Sequence, residues 1–277
     1  MKQNKKFILI FYTLLVACLA LLGFILYFES QNSALRFYVF DVGQGDSMLI
    51  RTPYRQNILI DGGPDNTVVY KLGEYLPFYN RQIDLMILTH PHADHVVGLV
   101  EVLRRYEVKN VFFTGVDYNE PSYLVFLDLI KKKNLNFRII DRVQRISLGE
   151  EAELVILYPD KDLSDKEIKN LNNTSIVAKL IYRDNSIMLT GDYEDEEALV
   201  GKGFDLSADI LKVGHHGSDT ANDRKFLKAV DPDQAIISCG QDNKFGHPHE
   251  QTIKNFEDLE AEILRTDQQG DIFSVLN

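Results

Sequence analysis

All seven histidines of this 277-residue chain fall in three short windows: Thr89-His90-Pro91-His92-Ala93-Asp94-His95, Gly214-His215-His216-Gly217-Ser218 and Gly246-His247-Pro248-His249. Histidines serving separate core or surface roles would be scattered, whereas eleven positions hold every one of these. Imidazoles bunched with carboxylates at strand ends are what a first-row divalent metal needs. In His90-x-His92, extended backbone points both rings to one side, where they can grip one ion. Asp94 and His95 follow as a helix starts and can face a neighbouring ion, and Asp94 also suits the positive N-terminal end of that helix. Two ions require a bridging carboxylate; Thr190-Gly191-Asp192, directly after the apolar run Ile187-Met188-Leu189, supplies Asp192.

Phe7 to Phe28 is a run of 22 residues without a charge, which at about 1.5 Å per residue covers the roughly 30 Å hydrocarbon core of a bilayer. Lys2, Lys5 and Lys6 before it and Glu29 after it place the N-terminus in the cytoplasm and the bulk of the chain outside. The expected division is a basic cytoplasmic tail at 1–6, a single-pass anchor at 7–28, a linker at 29–35 and one folded domain at 36–277. Leu15-Val16-Ala17-Cys18 also resembles a lipobox, the alternative being a lipid anchor at Cys18. The mostly apolar stretch from Leu19 to Phe28, where a polar tether belongs, favours the uncleaved helix. With Cys18 in the bilayer and Cys239 in the globular part, no internal disulfide is expected.

Setting aside the three leader lysines leaves 27 bases against 41 acids, a net charge of −14 on the remainder. Such a surface repels DNA at long range unless local cations reverse the field. The basic side chains nearest the motifs, Lys212, Arg224, Lys225 and Lys244, are too few for a nucleic-acid track.

Strands are expected at Arg36–Asp41, Ser47–Arg51, Asn57–Ile60, Ile83–Thr89, Val108–Phe113, Ala152–Tyr158, Ser175–Tyr182, Ser186–Thr190, Ile210–Val213, Ala235–Ser238, Glu262–Thr266 and Ile272–Leu276. Helices are expected at Asp94–Tyr106, Pro121–Lys132, Glu194–Val200, Asp223–Val230 and Glu250–Leu259, and a long loop at Asp160–Asn173. Strand clusters with interspersed helices in both halves predict two sheets packed face to face with helices outside, in one domain.

His90-x-His92-x-Asp94-His95 followed by distant His and Asp residues resembles the metallo-β-lactamase fold superfamily. More narrowly, Asp41-Val42-Gly43-Gln44-Gly45-Asp46-Ser47, Asp61-Gly62-Gly63, Thr190-Gly191-Asp192, Lys212 to Ser218, Gly246-His247-Pro248 and Arg265-Thr266-Asp267 are similar to the extracellular hydrolase-like domain of ComEC competence proteins. The resemblance covers Arg36 to Asn277. It implies an α/β fold, an αββα sandwich of two mixed sheets with outer helices, preceded here by one transmembrane helix, and two divalent ions, Zn or Mn, at the edge between the sheets. One ion is assigned His90, His92, Asp192 and His215, the other Asp94, His95, Asp192 and His247. His216 or His249 is left to contact substrate or donate a proton, and Asp61, Gln44, Asp46 and Ser218 are expected next to the ligands or the substrate.

Two departures accompany the likeness. The polytopic channel of ComEC proteins has no counterpart beyond the single span, so DNA translocation by this chain alone is not expected. The superfamily's isolated histidine between the first motif and the Asp is absent, with Asn172-Asn173-Thr174-Ser175 at about that place. The expected activity is metal-dependent hydrolysis of an extracellular phosphodiester, with Asp94 orienting the attacking water and His216 or a metal-bound water assisting the leaving group. Expected substrates are DNA or, alternatively, a phosphocholine or teichoic-acid wall polymer. A non-catalytic partner of a DNA-uptake channel is the reading from a different class.

Overall fold

The computed structural model describes residues 2–30, 34–164 and 166–277. Lys2–Ser30 forms one helix, whose Lys6–Phe24 section is long and apolar enough, by length and composition, to cross a membrane. Of the expected linker, residues 31–33 lie outside the described ones, residues 29–30 continue the helix, and Leu35 already opens a strand.

Two seven-stranded mixed sheets follow. The first has the strand order Ile272–Leu276, Leu35–Val39, Met48–Arg51, Asn57–Ile60, Leu85–Ile87, Asn110–Phe113 and Asn136–Ile139. The second has the order Glu262–Arg265, Gln234–Ile237, Ile210–Lys212, Asn185–Leu189, Val177–Tyr182, Ala152–Tyr158 and Gln144–Ser147. Successive side chains of a strand point to opposite faces, so each sheet feeds two apolar layers. Leu35, Phe37 and Val39 join Leu154, Leu180 and Ile187 in the core between the sheets. Tyr38 and Phe40, on the other face, pack with Val68, Leu72 and Leu99 from the helices Thr67–Tyr75 and Ala93–Arg105. Met188 and Leu211 pack outward against Phe226, Leu227 and Phe256 of the helices Arg224–Val230 and Glu250–Glu257. The result is the expected αββα sandwich.

The departures from the expected elements are local. Thr67–Tyr75 is a helix the sequence did not announce: it opens on two β-branched valines, holds Gly73 and buries only Val68 and Leu72, so packing outweighs its propensity. Asn136–Ile139 and Gln144–Ser147 are outermost strands with mostly uncovered side chains, and so lack an apolar signature. The expected strand Ile83–Thr89 is interrupted at Asp84, whose carboxylate accepts from Asn57 N at 2.8 Å and from the Gln82 amide. Leu171–Thr174, at the end of the expected loop Asp160–Asn173 and one residue beyond it, is a short 3₁₀ turn.

One contact fixes the first metal-type window on its sheet. Gly62 N donates to His95 O at 2.8 Å and Gly98 N donates to Gly63 O at 3.1 Å, so the helix Ala93–Arg105 lies backbone to backbone on the Asp61-Gly62-Gly63 loop. A Cβ on Gly98 would sit 1.8 Å from Gly62 O. In an open helix, Gly→Ala stabilises by up to about 1 kcal/mol; here overpacking reverses the sign. Gly98→Ala is expected to cost about 1–3 kcal/mol and lower the melting temperature by roughly 2–10 °C, read by circular dichroism. An unchanged or raised melting temperature would contradict the contact.

Candidate metal centre

The three histidine windows and Asp192 meet at one end of the sandwich because they follow strands that run the same way. Asn57–Ile60 and Leu85–Ile87 are parallel and lead into Asp61 and the Thr89–His95 window. Asn185–Leu189 and Ile210–Lys212 are parallel in the other sheet and lead into Asp192 and the His215-His216 turn. His92 is the residue before the helix Ala93–Arg105, which places Asp94 and His95 in its first turn. His215 and His216 both adopt left-handed backbone, φ 46° and 54°, so two adjacent rings are carried toward the same point.

That point is the carboxylate of Asp192, itself buried. Its Oδ2 lies 3.3 Å from His95 Nε2, 3.6 Å from His216 Nε2, 3.7 Å from His90 Nε2 and 4.0 Å from His215 Nε2. His216 Nε2 also lies 3.4 Å from Asp94 Oδ2, and His92 Nδ1 lies 2.9 Å from His90 Nε2. The ligand atoms form two overlapping groups that share Asp192: His90 with His92, and Asp94 with His95 and His216.

The four rings around Asp192 are held by their far nitrogens. His95 Nδ1 faces Asp61 Oδ2 at 2.8 Å, His215 Nδ1 faces Glu194 Oε1 at 2.9 Å, His216 Nδ1 faces Ser238 O at 3.0 Å, and His90 Nδ1 faces Thr89 Oγ1 at 3.2 Å. Such partners set ring orientation and leave Nε2 free for a ligand. Asp61 is fixed in turn by Thr89, whose N and Oγ1 donate to its two oxygens at 2.8 and 2.7 Å. Beneath His216, Asp46 Oδ1 lies 3.3 Å from Nδ1 while Asp46 Oδ2 accepts from Lys212 Nζ at 2.7 Å, with Asp46 and Lys212 both fully buried.

The charges of this cluster govern one another. Burial alone would raise the carboxyls, yet the His95 and His216 imidazoles hold Asp192 well below the usual carboxylate range. Burial would lower the imidazoles, yet Asp192 and Asp61 push His95 well above its ordinary value, and Asp192 and Asp46 push His216 up to about 10. His90 goes the other way, lowered by its burial and then by His95. A divalent cation needs neutral imidazole, so one held here would compete with protons at His95 and His216.

His216 occupies the place in the second group that the sequence assigned to His247, and the swap follows from the left-handed turn at 215–216. The His216 ring is buried, with Nδ1 on Ser238 O and Nε2 facing Asp94 and Asp192. His247 stands beside the cluster, its ring centroid 5.5 Å from His215 and 6.3 Å from His216, and its Nδ1 accepts from Gln44 Nε2 at 3.3 Å. Burial and the neighbouring histidines His216 and His215 lower His247 to about 4. His249 is turned to Asp219, whose N donates to its Nδ1 at 3.0 Å, and to Phe245 O. Ser218 bonds Thr220 Oγ1 at 2.9 Å on the same turn. Gly45 serves packing: a Cβ there would sit 2.4 Å from Asp94 O.

Asp46 stands beside the cluster as expected; Glu194 and the pairing of Asp46 with Lys212 went unread. A lysine inside the apolar run Ile210-Leu211-Lys212-Val213 signals a buried partner. Glu194 carries no such mark, since its contacts with Asn172, Thr220 and His215 are formed only by folding.

A metal fits this set. Asp192 Oδ1 and His216 Nε2 are buried and have no hydrogen-bond partner among the described residues, although both belong to the ligand groups. Imidazole nitrogens converging on a shared carboxylate suit divalent ions such as zinc.

Residues 40–241 match the profile of the family described as the metallo-beta-lactamase superfamily. The chain is 32% identical over 251 residues to ComE operon protein 3 of Bacillus subtilis (strain 168), covering 84% of this chain and 32% of that protein. It is 30% identical over 264 residues to Competence protein ComA of Neisseria gonorrhoeae, covering 92% and 34%. The chain thus spans about a third of the length of these relatives. Its fold is shared with the metallo-beta-lactamase fold protein YhfI from Bacillus subtilis, at a TM-score of 0.58 and 14% identity over 87% of this chain and 99% of that one. Sandwich, profile and relatives agree that this chain belongs to the metallo-beta-lactamase superfamily of hydrolases, with competence proteins among its homologues.

Proposed function

We propose that the chain is a membrane-anchored, exported phosphodiesterase that uses two divalent ions and acts on extracellular DNA. The convergence of four imidazole Nε2 atoms on Asp192 Oδ2, with Asp94 beside them, carries this reading. His90, His92, Asp192 and His215 would hold one ion, and Asp94, His95, Asp192 and His216 the other. Divalent ions bound there supply Lewis acidity toward a phosphoryl oxygen and make a water acidic enough to ionise near neutral pH. Asp94, part-exposed at the helix start, accepts a hydrogen bond from the attacking water and orients it. Gln44 Nε2 donates to His247 Nδ1, which leaves the hydrogen of that neutral ring on Nε2, where it can meet the leaving oxygen. Asp61, Glu194 and Asp46 hold the ligand rings in place. The DNA substrate is supported by the competence-protein homologues, and the anchor by the Lys6–Phe24 helix with lysines before it.

One observation favours a second substrate. A cavity of about 460 Å³ lined by Glu194, Glu197, Asp219, Asp223 and Arg224 adjoins His215 through Glu194 and Thr220. Carboxylates there repel a nucleic-acid backbone and suit a phosphodiester that carries a cation, such as phosphocholine. Full-length protein loaded with Mn²⁺ or Zn²⁺ is expected to hydrolyse bis-p-nitrophenyl phosphate and cut single-stranded DNA. Release of phosphocholine with DNA left intact reassigns the substrate. Binding without turnover of any of them overturns the enzyme in favour of a channel partner.

A further inference from the structure

The first sheet has a second charged end. Arg36 lies opposite Arg51 in the antiparallel register, and Arg51 lies opposite Asn57, the first residue of the strand that leads at its far end into Asp61. Arg36, Arg51 and Arg55 therefore gather at the end of the sandwich remote from the metal centre. They line a pocket of about 330 Å³ with Ala34, Pro77 and Tyr79, and among the described residues no aspartate or glutamate lines it. On a domain of 27 bases and 40 acids, net charge −13, this is a local reversal of sign. Arg51 Nη1 donates to Tyr75 O at 2.9 Å, while its Nε is buried without a hydrogen-bond partner among the described residues.

Apolar rings flank these cations. Phe78 and Tyr79 are 90% and 77% exposed, set edge to face with centroids 5.3 Å apart, and Tyr54 is also exposed. Exposed aromatics beside arginines match the interfacial layer of a bilayer, where the rings sit at headgroup depth and the cations meet phosphate. Chain length limits the distance. Ala34 lines the pocket and Ser30 ends the apolar helix, so four peptide units connect them and reach no more than about 14 Å.

We infer that the arginine pocket and the Phe78-Tyr79 loop dock on anionic phospholipid headgroups of the membrane crossed by the helix, so that the metal centre faces away from the bilayer. This rests on the membrane-spanning part of the proposal above. A nucleic-acid backbone drawn to these arginines would lie at the wrong end of the sheet for hydrolysis, which favours the lipid.

The chain has no tryptophan, so Phe78→Trp places one indole in the docking loop. The full-length variant is reconstituted into phosphatidylcholine vesicles with or without phosphatidylglycerol, part of the lipid brominated on its upper acyl chains. Indole emission is expected to shift to the blue and be quenched in the anionic vesicles. Adding Arg36→Gln, which leaves the partly buried Arg51 in place, should reduce the docked-to-undocked ratio roughly fivefold. Carbonate extraction of the same vesicles separates the two readings. Protein that resists extraction but keeps an unquenched indole overturns the docking and leaves the anchor standing. Protein released by carbonate overturns both. Quenching that survives in the arginine variant while oligonucleotide binding is lost overturns the headgroup role and gives the pocket to nucleic acid.

Discussion

Asp192→Ala is expected to remove metal and activity together: bound metal falls well below that of the parent chain, and hydrolysis of bis-p-nitrophenyl phosphate drops on the order of 10³-fold or more. The size of the effect follows from position. Asp192 is the one residue shared by both ligand groups, and four imidazole nitrogens lie within 4.0 Å of its Oδ2. Asp192 is also the carboxylate that does most to raise His95 and His216 above the ordinary imidazole value. His247→Ala is the contrasting variant: its ring stands outside both groups, so metal content should hold while turnover falls. Mass spectrometry of metal content on full-length protein reads both. Metal retained in Asp192→Ala, or lost in His247→Ala with Asp192→Ala unaffected, would invert the assignment.

Lys212→Met should destabilise the domain by about 3–5 kcal/mol, because it strands a fully buried carboxylate without its counter-charge. For a domain of this size that lowers the melting temperature by roughly 6–20 °C. The pair also has a pH signature. Burial works to raise Asp46, but the Lys212 ammonium and then His216 override it and hold the carboxyl down to about 2. A depressed carboxyl contributes stability that is complete above its ordinary value of 3.8 and is lost as pH falls toward about 2. Without Lys212 the carboxyl loses the strongest influence that lowers it, and acid unfolding should begin at higher pH. Adding Asp46→Leu to Lys212→Met removes the stranded charge and should recover much of the loss. Circular dichroism melts across the acid range read all three chains; a Lys212→Met melt equal to the parent's would mean that the ion pair contributes nothing.

The αββα layering was legible because strands buried on both faces are nearly continuous apolar runs, as in Ile187-Met188-Leu189 and Ile210-Leu211. Outermost strands such as Asn136–Ile139 bury little and left no such pattern. At the metal centre, residues adjacent in sequence could be read as a group: the Thr89–His95 window carries its own spacing, and Asp192 stands at a strand end. The choice between His216 and His247 could not be read that way. It depends on consecutive left-handed residues at 215 and 216, which no periodicity encodes and which non-glycine residues rarely adopt. Glu194 is likewise brought to His215 by tertiary packing alone.

An anomalous-scattering map of the full-length protein, crystallised after loading with Zn²⁺ or Mn²⁺, tests the central claim most directly. The expected result is a pair of peaks on either side of the Asp192 carboxylate, one reached by His90 and His92 and the other by Asp94, His95 and His216. No peak at Asp192 in reloaded protein, or a single ion elsewhere on the domain, would contradict the metal centre and the hydrolysis built on it.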